Sequence, residues 1–465
     1  MRITFVHPCI GRRIGQPYLR TWQMEPLAPA TLAGLTPRGG RFDIRFYDDR
    51  NEAIPFDEPT DLVAMSVETY SAKRAYQIAS EFRRRKVPVV MGGFHPTLVP
   101  DEVTQYAESI VIGEAEELWP LLLDDFCRGH LKPVYRQAGR PSLAGVHADR
   151  SIFAGKRYLK IKLVEAGRGC QFGCEFCSVQ SFFHRTHARR PINEIVDEVR
   201  GVKDRLIFFV DDNVTTNSSQ AKEFLRALVP LKIRWVSQGS INAGHDEEFL
   251  RLLKASGCQA LLIGFESLDD ATLKKMNKQV NTMRGGYEEA LANLRRFGIR
   301  IYATFVFGYD GDRQDSFRET LAFANRHRFY LAGFNHLVPF PGTPLYRRLQ
   351  EEGRLLYERW WLDPRYRFGM VPYAPQGMTA DEVRARCAEA RREFFSFKSI
   401  LNRGLDMKVN GGRPSMWLRF FTLNILFRAE IDQRLGFPLG DESYTAPLVK
   451  ARHSQPLEAS HLVGV

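Results

Sequence analysis

Apolar and polar positions alternate in two rhythms along this chain. Short apolar, β-branched runs at 2–6, 43–47, 62–66, 87–91 and 109–112 have the unbroken hydrophobicity of parallel strands covered on both faces. Between them the apolar positions recur at helical spacing. The clearest case is 71–86, with Ser71 at the N-cap position and Arg83-Arg84-Arg85-Lys86 at the end where cations complement the helix dipole. A second helix covers 114–127. Five strands with intervening helices predict a doubly wound parallel α/β domain over residues 1–130. Residues 131–159, with Gly139, Pro141, Gly145 and Gly155, read as a linker with short elements.

A second alternation begins at Lys160. Strands are predicted at 161–166, 206–210, 233–237, 260–264, 301–307 and 332–338. Helices are predicted at 191–203, 217–229, 246–256, 269–278, 284–297 and 313–327. Six strand–helix units fit between 160 and 345, whereas a full eight-unit barrel takes about 250 residues. A partial, open (β/α)6 barrel is the expectation. Residues 346–465 read as a helical C-terminal region rich in aromatics, with Trp360, Trp361, Phe394, Phe395, Phe397, Phe420 and Phe421. Within it, 416–427 is strongly apolar and ends in Arg428. Docking on the core is favoured there over contact with a membrane surface. The tail after Gly440 reads as loosely ordered.

Composition narrows the class. Of 465 residues, 44% are hydrophobic and 26% charged, which suits several packed cores. No apolar run reaches the roughly 18 residues of a spanning helix, and residues 1–11 are too short an apolar run for a secretory signal. A cytoplasmic location without a transmembrane segment follows as the expectation. The net charge is +12, but the arginines are scattered. No stripe of interleaved cations and aromatics marks a nucleic-acid partner, and none is expected. No Gly-x-Ser-x-Gly elbow supports a hydrolase.

The seven cysteines are Cys9, Cys127, Cys170, Cys174, Cys177, Cys258 and Cys387. Three cluster in Gly167-Arg168-Gly169-Cys170-Gln171-Phe172-Gly173-Cys174-Glu175-Phe176-Cys177. An odd count with one tight cluster points to metal in a reducing compartment, not to a disulfide framework. Three thiolates on one short loop suit three corners of a [4Fe–4S] cubane and leave the fourth iron open. A structural zinc site takes four ligands; only His184 and His187 lie near enough in sequence to complete one. Gly169 and Gly173 allow the backbone to turn tightly.

With this loop just after the first strand of a βα series, the chain resembles the radical S-adenosylmethionine superfamily. More narrowly it resembles the branch with an N-terminal cobalamin-binding domain, over about residues 1–345. The resemblance implies that the open iron binds the amino and carboxylate groups of S-adenosylmethionine. One electron, from a flavodoxin or ferredoxin, splits a carbon–sulfur bond, usually giving a 5′-deoxyadenosyl radical that takes hydrogen from a small-molecule substrate. It also implies S-adenosylmethionine-binding roles at strand ends. Asp211, Asp212 and Asn213 stand where the family's motif for the methionine amino group is often glycine-rich. Ser237 and Gln238 fall near the ribose, Glu266 (followed by Lys278) in the next motif, and Phe307 of Phe307-Gly308-Tyr309 near adenine. Pro341-Gly342-Thr343-Pro344 matches a closing motif of related enzymes. Read alone, such residues are ordinary turn formers.

For cobalamin, the resemblance implies Ser66, Thr69, Gly92 and Gly93. The loop Pro8-Cys9-Ile10-Gly11 lacks the histidine that would ligate cobalt, and His95 reads as a packing residue. Tyr309, Asn335, His336 and Tyr366 are polar residues with no geometry fixed by the sequence. The function implied is reductive cleavage of S-adenosylmethionine, with cobalamin-dependent methylation of an unactivated position in a natural product or lipid-like molecule. The alternative is radical chemistry without methyl transfer: cyclisation, rearrangement, oxidation or 3-amino-3-carboxypropyl transfer, with an N-terminal domain lacking cobalamin.

Overall fold

The computed structural model describes residues 1–202, 206–282, 286–412 and 414–451. The predicted helix ends at 203 and 284–285, and the tail beyond 451, lie outside the described residues. The chain forms two compact units. Unit 1 holds Met1–Leu159, Arg359–Tyr366 and the residues from Phe437 on; unit 2 holds Lys160–Glu358 and Arg367–Gly436.

Unit 1 is built on six strands: β1 (Arg2–His7), β2 (Asp43–Asp48), β3 (Leu62–Ser66), β4 (Val89–Gly92), β5 (Ser109–Ile112) and β6 (Val134–Arg136). They lie in the order 2-1-3-4-5-6, and every pairing is parallel. This is a doubly wound sheet whose order reverses between β1 and β3, the place where such sheets bind ligands. The edge strand β6 comes from the segment without a predicted strand, being too short for a period-two signal. Ile3, Phe5, Leu62, Val90 and Val111 pack against α1 (Leu27–Leu35) and α3 (Leu118–Cys127). Helix α2 (Ala72–Arg84) follows β3. Its basic end is tied to acids: Arg83 to Glu108 at 2.7 Å and Arg85 to Glu81 and Asp57 at 2.9 Å.

Two distant segments complete unit 1. Trp360, Trp361 and Tyr366 belong here, not to the helical region. Trp361 Nε1 donates to Glu102 at 2.9 Å, and the Trp360 ring meets Tyr70 at 4.9 Å. Residues after Phe437 are fixed rather than loose as far as Ala451. Gly440–Asp441 pairs in parallel with Gly11–Arg12. Gln77 brackets Asp441 with bonds of 3.2 and 2.8 Å, and the Phe437 ring meets Tyr18 and Trp22 edge-on.

Unit 2 carries β7 (Ile161–Val164), β8 (Leu206–Phe209), β9 (Arg234–Gly239), β10 (Cys258–Glu266), β11 (Arg300–Phe307) and β12 (Leu331–His336). They run in sequential order, all parallel. This is the open six-stranded partial barrel that the alternation predicts. The helices α4 (Ile192–Arg200), α5 (Ser218–Leu228), α6 (Glu247–Ala255), α7 (Gly286–Arg296) and α8 (Gln314–Arg326) cover it. One core joins strands and helices, with Ile207, Trp235, Leu261, Phe265 and Phe305 fully buried.

The helical region of unit 2 comprises α9 (Ala380–Phe394), α10 (Phe397–Gly404) and α11 (Pro414–Arg434). Arg403 fastens it. Its guanidinium, 1% exposed, donates to the carbonyls of Phe329 (3.0 Å) and Phe394 (2.9 Å) and to Asn424 Oδ1 (3.0 Å). Burial pushes its pKa down to about 9. Core docking of 416–427 is half the outcome: Phe420 and Asn424 are buried, while Leu418 and Ile425 on the opposite face are exposed.

Candidate functional site

The cysteine segment is an excursion from the end of β7. It is closed at its base by an antiparallel ribbon, Gly167–Gly169 against His187–Arg189. Gly169 turns there with φ +89°, a conformation that favours glycine. At Gly173 a Cβ would lie 2.7 Å from the guanidinium of exposed Arg185, so the arginine end packs over this glycine. Within the loop the Cys177 amide donates to the Cys174 carbonyl at 3.1 Å. Cys174 is buried, and Cys170 and Cys177 are partly exposed. Burial pushes the Cys174 thiol up, and that of Cys177 to about 11. Such thiols keep their protons until a metal displaces them.

Strand ends close in on this loop. After β8, Asp212 Oδ2 accepts from the Gly169 amide at 2.7 Å, and Asn213 Nδ2 lies 3.6 Å from Cys170 Sγ. Asn213 is itself held by Ser240 at 2.8 Å and Thr215 at 2.7 Å. Asp211 points the other way. Its Oδ1 accepts from the Ala166 amide at 2.8 Å, and its Oδ2 lies 3.5 Å from buried Arg189. Burial raises its pKa to about 7 despite that cation. Asp211 and Asp212 thus hold the ends of the first strand and the ribbon, and Asn213 reaches the sulfur.

Of the other S-adenosylmethionine candidates, Ser237 is buried and donates to the Phe209 carbonyl at 2.7 Å, while Gln238 Nε2 lies 3.5 Å from the Asp211 carbonyl. Glu266 stands on a β-bulge, where the register between β10 and β11 shifts after Gly264. Its φ of +63° turns the carboxylate back towards Lys278 Nζ, 3.3 Å away. Burial disfavours the Lys278 ammonium, but Glu266, Cys174 and Cys177 outweigh it and hold its pKa above the ordinary lysine value. Bulges of this kind re-aim side chains beside active sites. Phe307 stacks on Phe317 at 4.2 Å, and its carbonyl accepts from Leu337 at 2.8 Å.

Sequence reasoning misses a clamp on the loop. Glu175, between two of the cysteines, accepts from Arg348 Nε at 2.7 Å and Nη2 at 3.2 Å, and from the Tyr309 hydroxyl. Asp310 grips Arg348 from the far side at 2.7 Å and Arg354 at 2.8 Å. The Glu175 amide donates to the Met276 carbonyl at 3.0 Å, and Asn277 Nδ2 to the Gly173 carbonyl at 2.7 Å. Arg189 and Arg348 had no sequence signal beyond their charge. Of the remaining polar residues, Asn335 accepts from Arg391 at 3.2 Å. His336 is driven down to about 3 by burial and neighbouring arginines. Tyr366 belongs to unit 1.

Among the described residues, no three His, Cys, Asp or Glu side chains converge tightly enough for a single metal ion. Three thiols on one loop, beside the Asn213 amide and the Lys278 ammonium, are a donor set that fits a cubane, which sets each thiolate on a different iron.

In unit 1, Ser66 and Gly92 sit opposite each other at the ends of β3 and β4. Gly93 has φ +103°, and a Cβ there would lie 3.0 Å from Ser66 Oγ and 3.1 Å from the Val67 amide. Glycine is required there by the close approach of the loops after β3 and β4 at the C-terminal ends of the sheet. Thr69 is turned inward: its hydroxyl meets His95 Nδ1 at 3.3 Å. His95 is fully buried, with Nε2 bonded to Tyr76 and Glu102 at 3.1 and 3.2 Å, which is the packing role. A cavity of about 420 Å³, lined by Arg12, Tyr18, Asp49, Arg50 and Glu52, opens at the ends of β1 and β2.

The Radical SAM superfamily profile matches residues 164–324. The chain is 31% identical to the bacteriochlorophyllide d C-12(1)-methyltransferase of Chlorobaculum tepidum, over 82% of this chain and 83% of that protein. It is 28% identical to the C-8(2)-methyltransferase of the same organism, over 72% and 78%. In fold it is similar to the radical S-adenosylmethionine methyltransferase TsrM from Kitasatospora setae. The TM-score is 0.59 at 19% identity, over 76% of this chain and 75% of that one. With that identity spread over most of both sequences, and with the cysteine loop inside the matched segment, the chain belongs to the radical S-adenosylmethionine superfamily.

Proposed function

We propose that this protein is a cobalamin-dependent radical S-adenosylmethionine methyltransferase acting on an unactivated position of a small molecule. Cys170, Cys174 and Cys177 hold the [4Fe–4S] cluster, and Ser66, Gly92 and Gly93 border the corrin site. A flavodoxin or ferredoxin in a reducing cytoplasm is the electron donor. The observation that carries the reading is the three-thiol loop at the end of the first barrel strand, met by Asn213 just after β8 and by Lys278, which follows the short helix Asp270–Lys275 and is held by Glu266 at the end of β10. The names of the two bacteriochlorophyllide methyltransferases support methylation, and TsrM was solved with cobalamin and a [4Fe-4S] cluster bound.

When bound, these groups supply a low-potential electron and a methyl carrier. The chain supplies placement and charge. Asn213 offers an N–H to the Cys170 sulfur, and Lys278 sets a cation beside Cys174 and Cys177. Both favour the deprotonated sulfurs and tune the metal they hold. Glu266 keeps that cation in place.

Anaerobic reconstitution with iron, sulfide and hydroxocobalamin, followed by S-adenosylmethionine and dithionite, tests the reading. 5′-Deoxyadenosine and S-adenosylhomocysteine appear together if it holds. Deoxyadenosine alone assigns a radical reaction without methyl transfer, and methylthioadenosine assigns aminocarboxypropyl transfer. Loss of all corrin on gel filtration overturns the cobalamin assignment.

A further inference from the structure

The helical region of unit 2 carries an apolar face that its own core leaves uncovered. On α10 and the turn after it, Phe397 is 65% exposed, Leu401 53%, Leu405 59% and Met407 60%. The first three recur every four residues and so form one stripe. On α11, Trp417, Leu418 and Ile425 are 40%, 66% and 46% exposed. The two helices meet at Gly404: the Trp417 indole donates to its carbonyl at 3.0 Å, and a Cβ there would lie 2.8 Å from the Phe421 ring. The Arg428 guanidinium lies 4.7 Å from the centre of the Phe397 ring. The apolar residues of both helices therefore make one continuous surface, larger than scattered exposed leucines would be.

Charge identifies what covers it. From 396 to 428 the sequence has one acid, Asp406. It is 2% exposed and paired with Arg295 at 2.9 Å. Lys398, Lys408 and Arg419 are exposed around the apolar residues, and Arg428 is partly so. An apolar face with aromatics, rimmed by cations and cleared of acids, is the pattern of a helix pair lying in a bilayer interface. A second copy would suit it poorly, because a two-fold contact would face cation against cation. Among the described residues no helix is long and apolar enough to cross a membrane, so the contact is peripheral.

We propose that α10, the turn at 405–408 and the first half of α11 dock this protein on an anionic phospholipid bilayer. Phe397, Leu401, Leu405, Trp417 and Leu418 enter the acyl boundary, and Lys398, Lys408 and Arg419 meet lipid phosphates. This surface is independent of the cysteine loop and of the reaction proposed above.

Co-flotation of the full chain with vesicles tests it. One set is phosphatidylcholine alone; the other carries about one part in three phosphatidylglycerol. The wild-type protein floats with the anionic vesicles and binds the neutral ones at least tenfold more weakly. The double variant L401E/L418E loses at least tenfold in partition. K398E/K408E/R419E loses about fivefold per cation, roughly a hundredfold in all. All substituted side chains are exposed, and an unchanged near-ultraviolet dichroism spectrum verifies folding. Absence of wild-type flotation, or unchanged flotation of L401E/L418E, overturns the proposal. So does a wild-type dimer in light scattering that becomes monomeric in L401E/L418E without any vesicle binding, which would assign the face to self-association.

Discussion

Replacing Glu175 by alanine should loosen the cysteine loop without disturbing the rest of unit 2. The change removes the acceptor for two Arg348 bonds, at 2.7 and 3.2 Å, and for the Tyr309 hydroxyl. Hydrogen bonds to a charged group contribute about 1.5–3 kcal/mol each when buried. The Arg348 side chain is 30% exposed and that of Glu175 16%, so solvent screening reduces the sum. A net loss of about 2–3 kcal/mol remains. At about 1.4 kcal/mol per decade, local opening of the loop rises about 30- to 150-fold. The readout is hydrogen–deuterium exchange at the amides of Glu175 and Cys177, bonded in the native loop to the Met276 and Cys174 carbonyls. Glu175→Gln keeps an acceptor but loses the charge, and should raise exchange by about fivefold. Exchange of Glu175→Ala within about threefold of wild type would refute the clamp, as would an equal rise in α2.

Three further outcomes follow from the geometry. Cys170→Ser, Cys174→Ser and Cys177→Ser should each lose the brown chromophore on anaerobic reconstitution and cut deoxyadenosine formation by at least about a thousandfold; a variant retaining both would remove that residue from the ligand set. Gly93→Ala puts a methyl group at φ +103°, 3.0 Å from Ser66 Oγ. It should cost about 1–3 kcal/mol in urea denaturation and weaken corrin retention, and an unchanged midpoint would contradict the crowding. Burial, with Arg50 next, lowers the His7 pKa to about 4. The folded protein therefore keeps His7 neutral while the unfolded chain takes up a proton below about 6.5. Stability from this residue is present above pH 6.5 and is lost as pH falls towards 4, by on the order of 2–3 kcal/mol. His7→Phe should lose less over that window; equal losses would refute the assignment.

Most of the strand–helix alternation is legible because parallel strands buried on both faces are short apolar runs, set apart by their length from the longer stretches of helical spacing between them. The cysteine loop is legible because the spacing itself is the chemistry. What escapes the sequence is pairing between remote segments. Arg348 and Glu175 are 173 residues apart, and nothing local distinguishes that arginine from its neighbours. Trp360 and Trp361 announce a core but not which one. The exposed half of α11 is hidden because an apolar stretch without clean periodicity does not say which of its faces is covered. At Asp211 and Asp212 the turn chemistry of short acids accounts for the backbone amides they hold, and Asn213 extends from that scaffold to the sulfur.

The return of Gly440–Asp441 to pair with Gly11–Arg12 sets an order of events during synthesis. The six strands of unit 1 have all been synthesised once residue 136 is made. Tyr18 and Trp22, between β1 and β2, and Gln77 on α2 then wait for Phe437 and Asp441. At about 5–20 residues per second the delay is on the order of 15–60 s. Throughout it a nascent sheet stands with bare aromatics while the whole barrel emerges behind it. That interval of exposed apolar surface is when the growing chain is most open to aggregation.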